Sequence, residues 1–434
     1  MNKFVLKSRL TVMNFLEFAV WGAYLTSLGN YLDSHGLGPQ IGWFYIVQGI
    51  VSIFMPGLMG IVADRWVQAQ RLLGLCHLAA AVFMGGAAWY AVQAGDAVQM
   101  TPLFSLYALS VAFYMPTLAL SNSVAFNGLT ANGLDTVKDF PPIRVFGTIG
   151  FICSMLSVDF LGIQSTPYQL ALSAALSLVL AVYAQTLPSC PISPRGEKKS
   201  MVEALGLDAF KLFKQRKMAV FFVFSMLLGV SLQITNGYAN PFITSFKDVA
   251  EYSQTFGAQH ANILISLSQI SETCCILLIP FFLRRFGIKR VMMIAMLAWV
   301  LRFGLFGLGN PGSGVWMFVL SMIVYGVAFD FFNISGALFV EQNTDMSIRS
   351  SGQGLFMIMT NGLGASIGTF AAQEVVNKFV YDLPETEQLL RIEGWRTCWS
   401  IFAAYALVVL LLFAFAFKEH KSAHAYKKVF KIAL

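Results

Sequence analysis

Apolar runs of about 20 residues recur along the chain, separated by short polar stretches. A membrane-spanning helix needs about 20 mostly apolar residues. The pattern predicts twelve such helices, at roughly 10–31, 41–63, 71–93, 101–127, 143–163, 167–187, 217–244, 259–283, 290–309, 314–340, 351–376 and 395–417. A membrane β-barrel is excluded, because its strands are short and alternate polar with apolar residues, whereas these runs are long and continuous. The longest polar stretch between helices, LPSCPISPRGEKKSMVEALGLDAFKLFKQRK from Leu187 to Lys217, divides them six and six. The expectation is an all-α membrane protein of two six-helix bundles, 1–187 and 217–418. A cytoplasmic linker at 188–216 joins them, and a basic cytoplasmic tail follows at 419–434.

Composition agrees with a lipid solvent. Of the 434 residues, 57% are hydrophobic and 12% charged, against roughly a quarter charged in soluble domains; the mean hydropathy is +0.66. Charge then sets the orientation. With both termini cytoplasmic, 23 of the 29 Lys and Arg fall in inside segments and 4 outside, namely Lys247, Lys378, Arg391 and Arg396. That bias is the positive-inside pattern. It also accounts for the net charge of +7 without nucleic-acid binding. The tail KEHKSAHAYKKVFKIAL reads as an anchor to anionic lipid. The six cysteines show no CxxC spacing and the five histidines no metal cluster, so neither metal nor cofactor is expected. The first helix is too long for a signal peptide and is expected to stay in the mature protein.

Two short loops repeat a pattern. GIVADRWVQAQR follows the second predicted helix, with Gly60, Asp64, Arg65 and Arg71. PFFLRRFGIKR follows the eighth, with Pro280, Arg284, Arg285, Gly287, Lys289 and Arg290. Both resemble the loop signature G-x-x-x-D-[RK]-x-G-x-[RK] of the major facilitator superfamily. The first lacks the second Gly, and the second has Arg284 at the Asp position. The resemblance implies a cytoplasmic gating latch at Asp64 and Arg65.

Polar residues at membrane depth carry the chemistry. A charge at the bilayer centre costs about 2.5–3.5 kcal/mol on insertion scales, so such residues face a cavity or a partner. Asn14, Glu17 and Trp21 share one face of the first helix. FPPIRVFGTIGF opens the fifth with its prolines in the first turn and aligns Arg144, Thr148 and Phe151. SLQITN puts Gln233 three residues before Asn236, and SQISET puts Gln269 three before Glu272. YGVAFDFFN carries Tyr325, Phe329 and Asp330. Arg302 is expected to snorkel outward. Amides and carboxylates suit hydroxyls and ring edges, and Tyr325, Phe329 and Trp21 offer flat faces for stacking. A neutral polyol with a planar ring fits this set. The residues alone leave both a nucleoside and a plain sugar open.

At these residues the chain resembles the nucleoside:proton symporters of the major facilitator superfamily. The stretches that carry the resemblance are DFPPIRVFGTIGF (139–151), GLDAFKLFK (206–214), FSMLLGVSLQITN (224–236), ISLSQISET (265–273) and LSMIVYGVAFDFFNISG (320–336). It implies proton-coupled import of purine and pyrimidine nucleosides across a bacterial inner membrane; separately, a monomer is expected. It also implies a cargo site of Arg144, Thr148, Phe151, Gln233, Asn236, Gln269, Glu272, Tyr325, Phe329 and Asp330. Proton coupling is expected at Asp330, Glu272 or Glu17, and Glu17 stands where the family pattern has Gln. An enzyme is not expected, for HExxH and the phosphate-binding loop GxxxxGK[ST] are missing from the sequence.

Overall fold

A computed structural model describes residues 2–190, 207–344 and 349–417. Among them there are helices and no strands. The helices are α1 (Lys3–Gly22), α2 (Leu28–Ser34), α3 (Ile41–Arg65), α4 (Ala69–Ala94), α5 (Met100–Tyr114), α6 (Thr117–Ala131), α7 (Thr136–Phe160) and α8 (Tyr168–Tyr183). After the gap come α9 (Arg216–Leu232), α10 (Ile234–Ser245), α11 (Phe256–Gln259), α12 (Ala261–Leu308), α13 (Val315–Asn343), α14 (Arg349–Met357), α15 (Ala365–Val376) and α16 (Gln388–Ala416). Most of the predicted linker and all of the tail lie outside the described residues.

Ten helical stretches of the described residues are long and apolar enough to cross a membrane. One of them, α12, runs 48 residues and bends at Gly287, whose φ of 79° is open to glycine but strained for other residues. At 1.5 Å per residue a straight helix of that length would reach about 72 Å, more than twice the hydrocarbon core of about 30 Å. The predicted spans 259–283 and 290–309 are its two arms, and the charged RRFGIKR lies at the bend.

Several predicted spans are broken near their middles. The first divides into α1 and α2 after Gly22, and the fourth into α5 and α6 at Met115–Pro116. The seventh divides into α9 and α10 at Gln233 (φ −91°, ψ −12°). The eleventh passes through a π-helical stretch at Ile358–Gly364 between α14 and α15. One boundary differs from expectation. The helix carrying Arg144 begins at Thr136, so Pro141 and Pro142 lie inside it rather than in its first turn. The Asp139 carboxylate stabilises this early start. It accepts the Asp135 N–H at 3.0 Å and pairs with Lys7 Nζ at 2.6 Å.

Helices approach closely where glycine leaves room. A Cβ on Gly22 or Gly150 would run into the facing backbone of Phe151 or Phe15, so α1 and α7 pack main chain to main chain. Gly229, Gly364 and Gly368 do the same for α9 against α15 and the π-helical stretch before it. At the end of the molecule holding α2, the C-terminus of α7 and the N-terminus of α12, hydrogen bonds tie residues 2–190 to residues 207–417. Gln373 Oε1 accepts the Gly42 N–H, and its Nε2 donates to the Gly38 carbonyl at 3.2 Å. Asn240 Nδ2 donates to Gln164 Oε1 at 3.1 Å, and the Thr26 hydroxyl to Asn262 Oδ1 at 3.1 Å. Towards the opposite end of α3, Ile50 and Phe54 are exposed and residues 55–63 only partly buried.

Candidate functional site

Arg144 lies two turns inside α7. Gly147, one turn above it, leaves the space into which the Phe18 ring and the Arg144 guanidinium fit, with the guanidinium 3.9 Å from the Phe18 centroid. Its charge faces Glu272 of α12, and Glu17 more weakly. Thr148 follows on the same stripe, half-buried. Phe151 is buried and meets Trp21 edge-on, with centroids 6.4 Å apart. Trp21 is held by its indole N–H, which donates to Gln48 Oε1 at 3.3 Å, and Gln48 in turn donates to the Tyr107 hydroxyl at 2.8 Å.

From the second part of the chain, the break between α9 and α10 presents Gln233 and Asn236, both half-buried. Asn236 Nδ2 donates to Gln233 Oε1 at 2.8 Å, so the two amides form one polar surface at a place where the helix is interrupted. Gln269 and Glu272 follow on α12, half-buried and less than one turn apart. On α13, Tyr325 and Phe329 stack with centroids 5.6 Å apart and planes 17° from parallel. Asp330 is buried beside them, it interacts with Glu272, and its Oδ2 has no hydrogen-bond partner.

The structure therefore brings together Arg144, Glu272, Asp330 and Tyr325 through electrostatic contact, Phe329 with Tyr325, Gln233 with Asn236, and Phe151 with Trp21. Such a set can hold hydroxyls with amides and carboxylates, stack a flat ring and carry a proton.

Two residues sit elsewhere than their sequence setting implies. Arg302 does not snorkel outward: it is 2% exposed, its guanidinium lies 4.4 Å from the Tyr325 centroid, and Nη1 donates to the Ser321 carbonyl at 2.9 Å. The aromatic face and the carbonyl hold it inside. Glu17 is buried among α1, α4, α6 and α8. Its Oε2 is 2.9 Å from His77 Nε2, its Oε1 accepts from Thr117, and His77 Nδ1 is 2.9 Å from the Ser177 hydroxyl. Asp64 and Arg65 end α3, and their side chains lie outside the described residues. Sequence reasoning missed Gln48 and His77. A lone Gln in the apolar run FYIVQGIV was a usable signal for the first; His77 carried none, since its partner is 60 positions away.

Known proteins share this chain's sequence and fold. Residues 4–422 match the family described as Nucleoside H+ symporter. Xanthosine permease of Escherichia coli (strain K12) is 46% identical over 413 residues, covering 94% of this chain and 95% of that protein. Nucleoside permease NupG of the same strain is 45% identical over 416 residues, covering 95% and 96%. A crystal structure of the nucleoside transporter NupG superposes with a TM-score of 0.86 at 44% identity, covering 97% of this chain and 100% of that one. A D-xylose-proton symporter, 13% identical, superposes with a TM-score of 0.67 over 98% of this chain and 99% of that one, which is a likeness of fold alone.

Proposed function

This chain belongs to the nucleoside H+ symporter family, and on that premise we propose how it performs proton-coupled nucleoside import across the bacterial inner membrane. The fold is all-helical and of the major facilitator type. The finer plan is twelve crossings, with α1–α2 as the first and the two arms of α12 as the eighth and ninth. Two bundles, 1–187 and 217–418, rock about a site at mid-membrane, and the protein acts as a monomer. Both termini are cytoplasmic, a placement that the distribution of Lys and Arg supports. The tied end then faces outward, and the partly exposed half of α3 faces the cytoplasm, which describes an inward-facing form.

The cargo lies between Arg144, Thr148 and Phe151 on one side and Gln233, Asn236, Gln269, Glu272, Tyr325, Phe329 and Asp330 on the other. The amides and carboxylates take the ribose hydroxyls and the base edge, and the Tyr325–Phe329 stack forms the wall against which the base lies. The observation that carries this reading is the row Arg144, Glu272, Asp330, with opposite charges facing each other across the two parts of the chain. Glu272 answers Arg144. Asp330 Oδ2, buried and without a donor, is the atom a proton would satisfy, so Asp330 carries the coupled proton. Each charge carried inward gains about 2.3 kcal/mol per 100 mV.

Asp330→Asn tests this assignment. The variant keeps size and one acceptor but cannot titrate. In proteoliposomes it should bind uridine, fail to accumulate it against a gradient, and lose the pH dependence of binding. A loss of affinity with pH-driven uptake intact would move the proton to Glu272 and leave Asp330 as a cargo ligand. Wild-type affinity together with wild-type accumulation would return Asp330 to helix packing.

A further inference from the structure

A second titratable pair lies at the tied end, away from the cargo site. Asp159 stands in the last turn of α7, with its side chain wholly shielded from solvent. Its Oδ1 is 2.6 Å from His260 Nδ1, and its Oδ2 accepts the Ile263 N–H at 3.2 Å. His260 immediately precedes α12, and Ile263 is in its first turn. The carboxylate thus shares a first-turn donor that also bonds the His260 carbonyl at 3.1 Å, a capping task that falls to a local Ser, Thr, Asp or Asn in most helices. Here the cap comes from 104 positions earlier than the residue it caps, across the two parts of the chain.

The surroundings differ on the two sides of the contact. The His260 side chain is 38% exposed and its ring lies 4.9 Å from that of Phe256, so water reaches the imidazole while the carboxylate is covered. Neutral amides and a hydroxyl lie near the pair. Asn262 accepts from Thr26 and Asn240, and Asn240 also donates to Gln164. Two further charged groups face this region from the segment after α10: Lys247, which interacts with Asp159, and Asp248. From the neighbouring corner, Asp33 of α2 faces Arg391, Asp248 and Glu385.

We propose that His260 and Asp159 form a proton-binding site on the outer face, separate from the coupling carboxylates, and that a proton on His260 holds the outer gate shut. Histidine is the side chain that titrates between pH 5 and 8 in ordinary surroundings. A charged imidazole adds to Lys247 a second opposite charge for Asp159 and supplies a charge-assisted hydrogen bond. It has this contact only while the two parts of the chain are together, because rocking open carries α7 away from α12. A ligand that gains a contact in one form shifts the equilibrium towards that form. External acid therefore favours closure, and an arriving proton helps to shut the outside before cargo leaves inside. The assignment to the outer face rests on the orientation proposed above.

The test reads the outer gate directly. Spin labels at Asp96→Cys and Leu389→Cys report its separation in liposomes. The exposed Cys153 and Cys274 are replaced by Ser, and Asp33 by Asn so that its own titration does not contribute. Lowering external pH from about 8 to about 5.5, a range that brackets ordinary histidine titration, should raise the closed-to-open ratio several-fold. His260→Gln, which keeps a donor but no charge, should flatten that response while the protein still elutes as a monodisperse species and binds uridine. An acid response in His260→Gln equal to its parent's overturns the proposal, as does a parent that shows none. An impermeant maleimide should label Asp96→Cys from outside. Labelling from inside only would overturn the orientation, and with it the outer-face assignment, whatever the pH response.

Discussion

Gly29→Ala should wedge the outer gate open. Gly29 lies on α2 where it crosses α10, and a Cβ there would overlap the Gly237 carbonyl oxygen and meet Pro241 Cγ at 3.0 Å. The obstructing atom is backbone, so no side chain can turn aside. Restoring an ordinary contact of about 3.5 Å requires α2 to move by roughly 1 Å. Forcing an extra methyl into a packed contact costs about 1–3 kcal/mol, which is a shift of about 5- to 150-fold in an equilibrium. The whole shift falls on the closed form, because α2 and α10 belong to different parts of the chain. The gain in helix propensity of about 1 kcal/mol for Ala over Gly applies to both forms and cancels. The assay is the Asp96–Leu389 label pair, with radiolabelled uridine uptake alongside. The open population should rise and uptake should slow, while Gly304→Ala, whose Cβ meets nothing within 4 Å, leaves both unchanged. A closed fraction and uptake equal to wild type in Gly29→Ala would refute the idea that this contact breaks in the transport cycle.

Two further variants probe the cargo site and the gate. Gln233→Ala removes one amide and strips Asn236 of its acceptor; expression should be normal and uridine affinity should fall about tenfold or more by calorimetry, in line with about 1–3 kcal/mol for a buried polar group left unpaired. Asp33, in the last turn of α2 and past the predicted span of 10–31, has its carboxyl pushed by burial up to about 6, with Arg391 pulling against the rise. The closed form thus holds this proton more tightly, and the help it gives to closure is complete below the ordinary carboxylate range and lost as pH rises through about 6. Asp33→Asn should raise the closed fraction at pH 7.5, up to a ceiling of about a hundredfold set by the distance from 3.8 to about 6. A fall in the closed fraction on the label pair would refute that sign.

The spans were legible because a lipid-facing helix must be apolar over its whole length, and their ends fell close to expectation for α4, α8 and α13. Their interruptions were less so. Pro116 marks the break between α5 and α6, but Gln233 sits in an apolar stretch with no Gly or Pro beside it. Arg144, Glu272 and Asp330 stood out because each is a charge where water is scarce, and Tyr325 and Phe329 because a spacing of four stacks them on one helix face. What the sequence withheld was partnership. Asp159 with His260, Glu17 with His77, and Gln373 with Gly38 and Gly42 each join residues far apart in the chain. Only the packed fold brings them within reach.

Partnership also separates the three carboxylates proposed for coupling. A group couples a proton to movement only if its surroundings change as the molecule moves. Glu17 is bound to His77 and Thr117, with Ser177 behind His77 and the Tyr114 hydroxyl on its own carbonyl. All of these belong to α1, α4, α5, α6 and α8, which a rocking motion carries together. On the rocking motion proposed above, its hydrogen-bond partners stay the same in either form, and only its weaker interaction with Arg144 reaches the contact between the bundles. Glu272 and Asp330 stand differently. Glu272 faces Arg144 from the opposite bundle, and Asp330 feels that contact through Glu272. Opening or closing the space between the bundles changes the field at both. The same criterion selects Asp159 and His260 at the outer end. On the proposed two-bundle plan, titratable groups that bridge the bundles by direct contact sense the transport cycle most strongly.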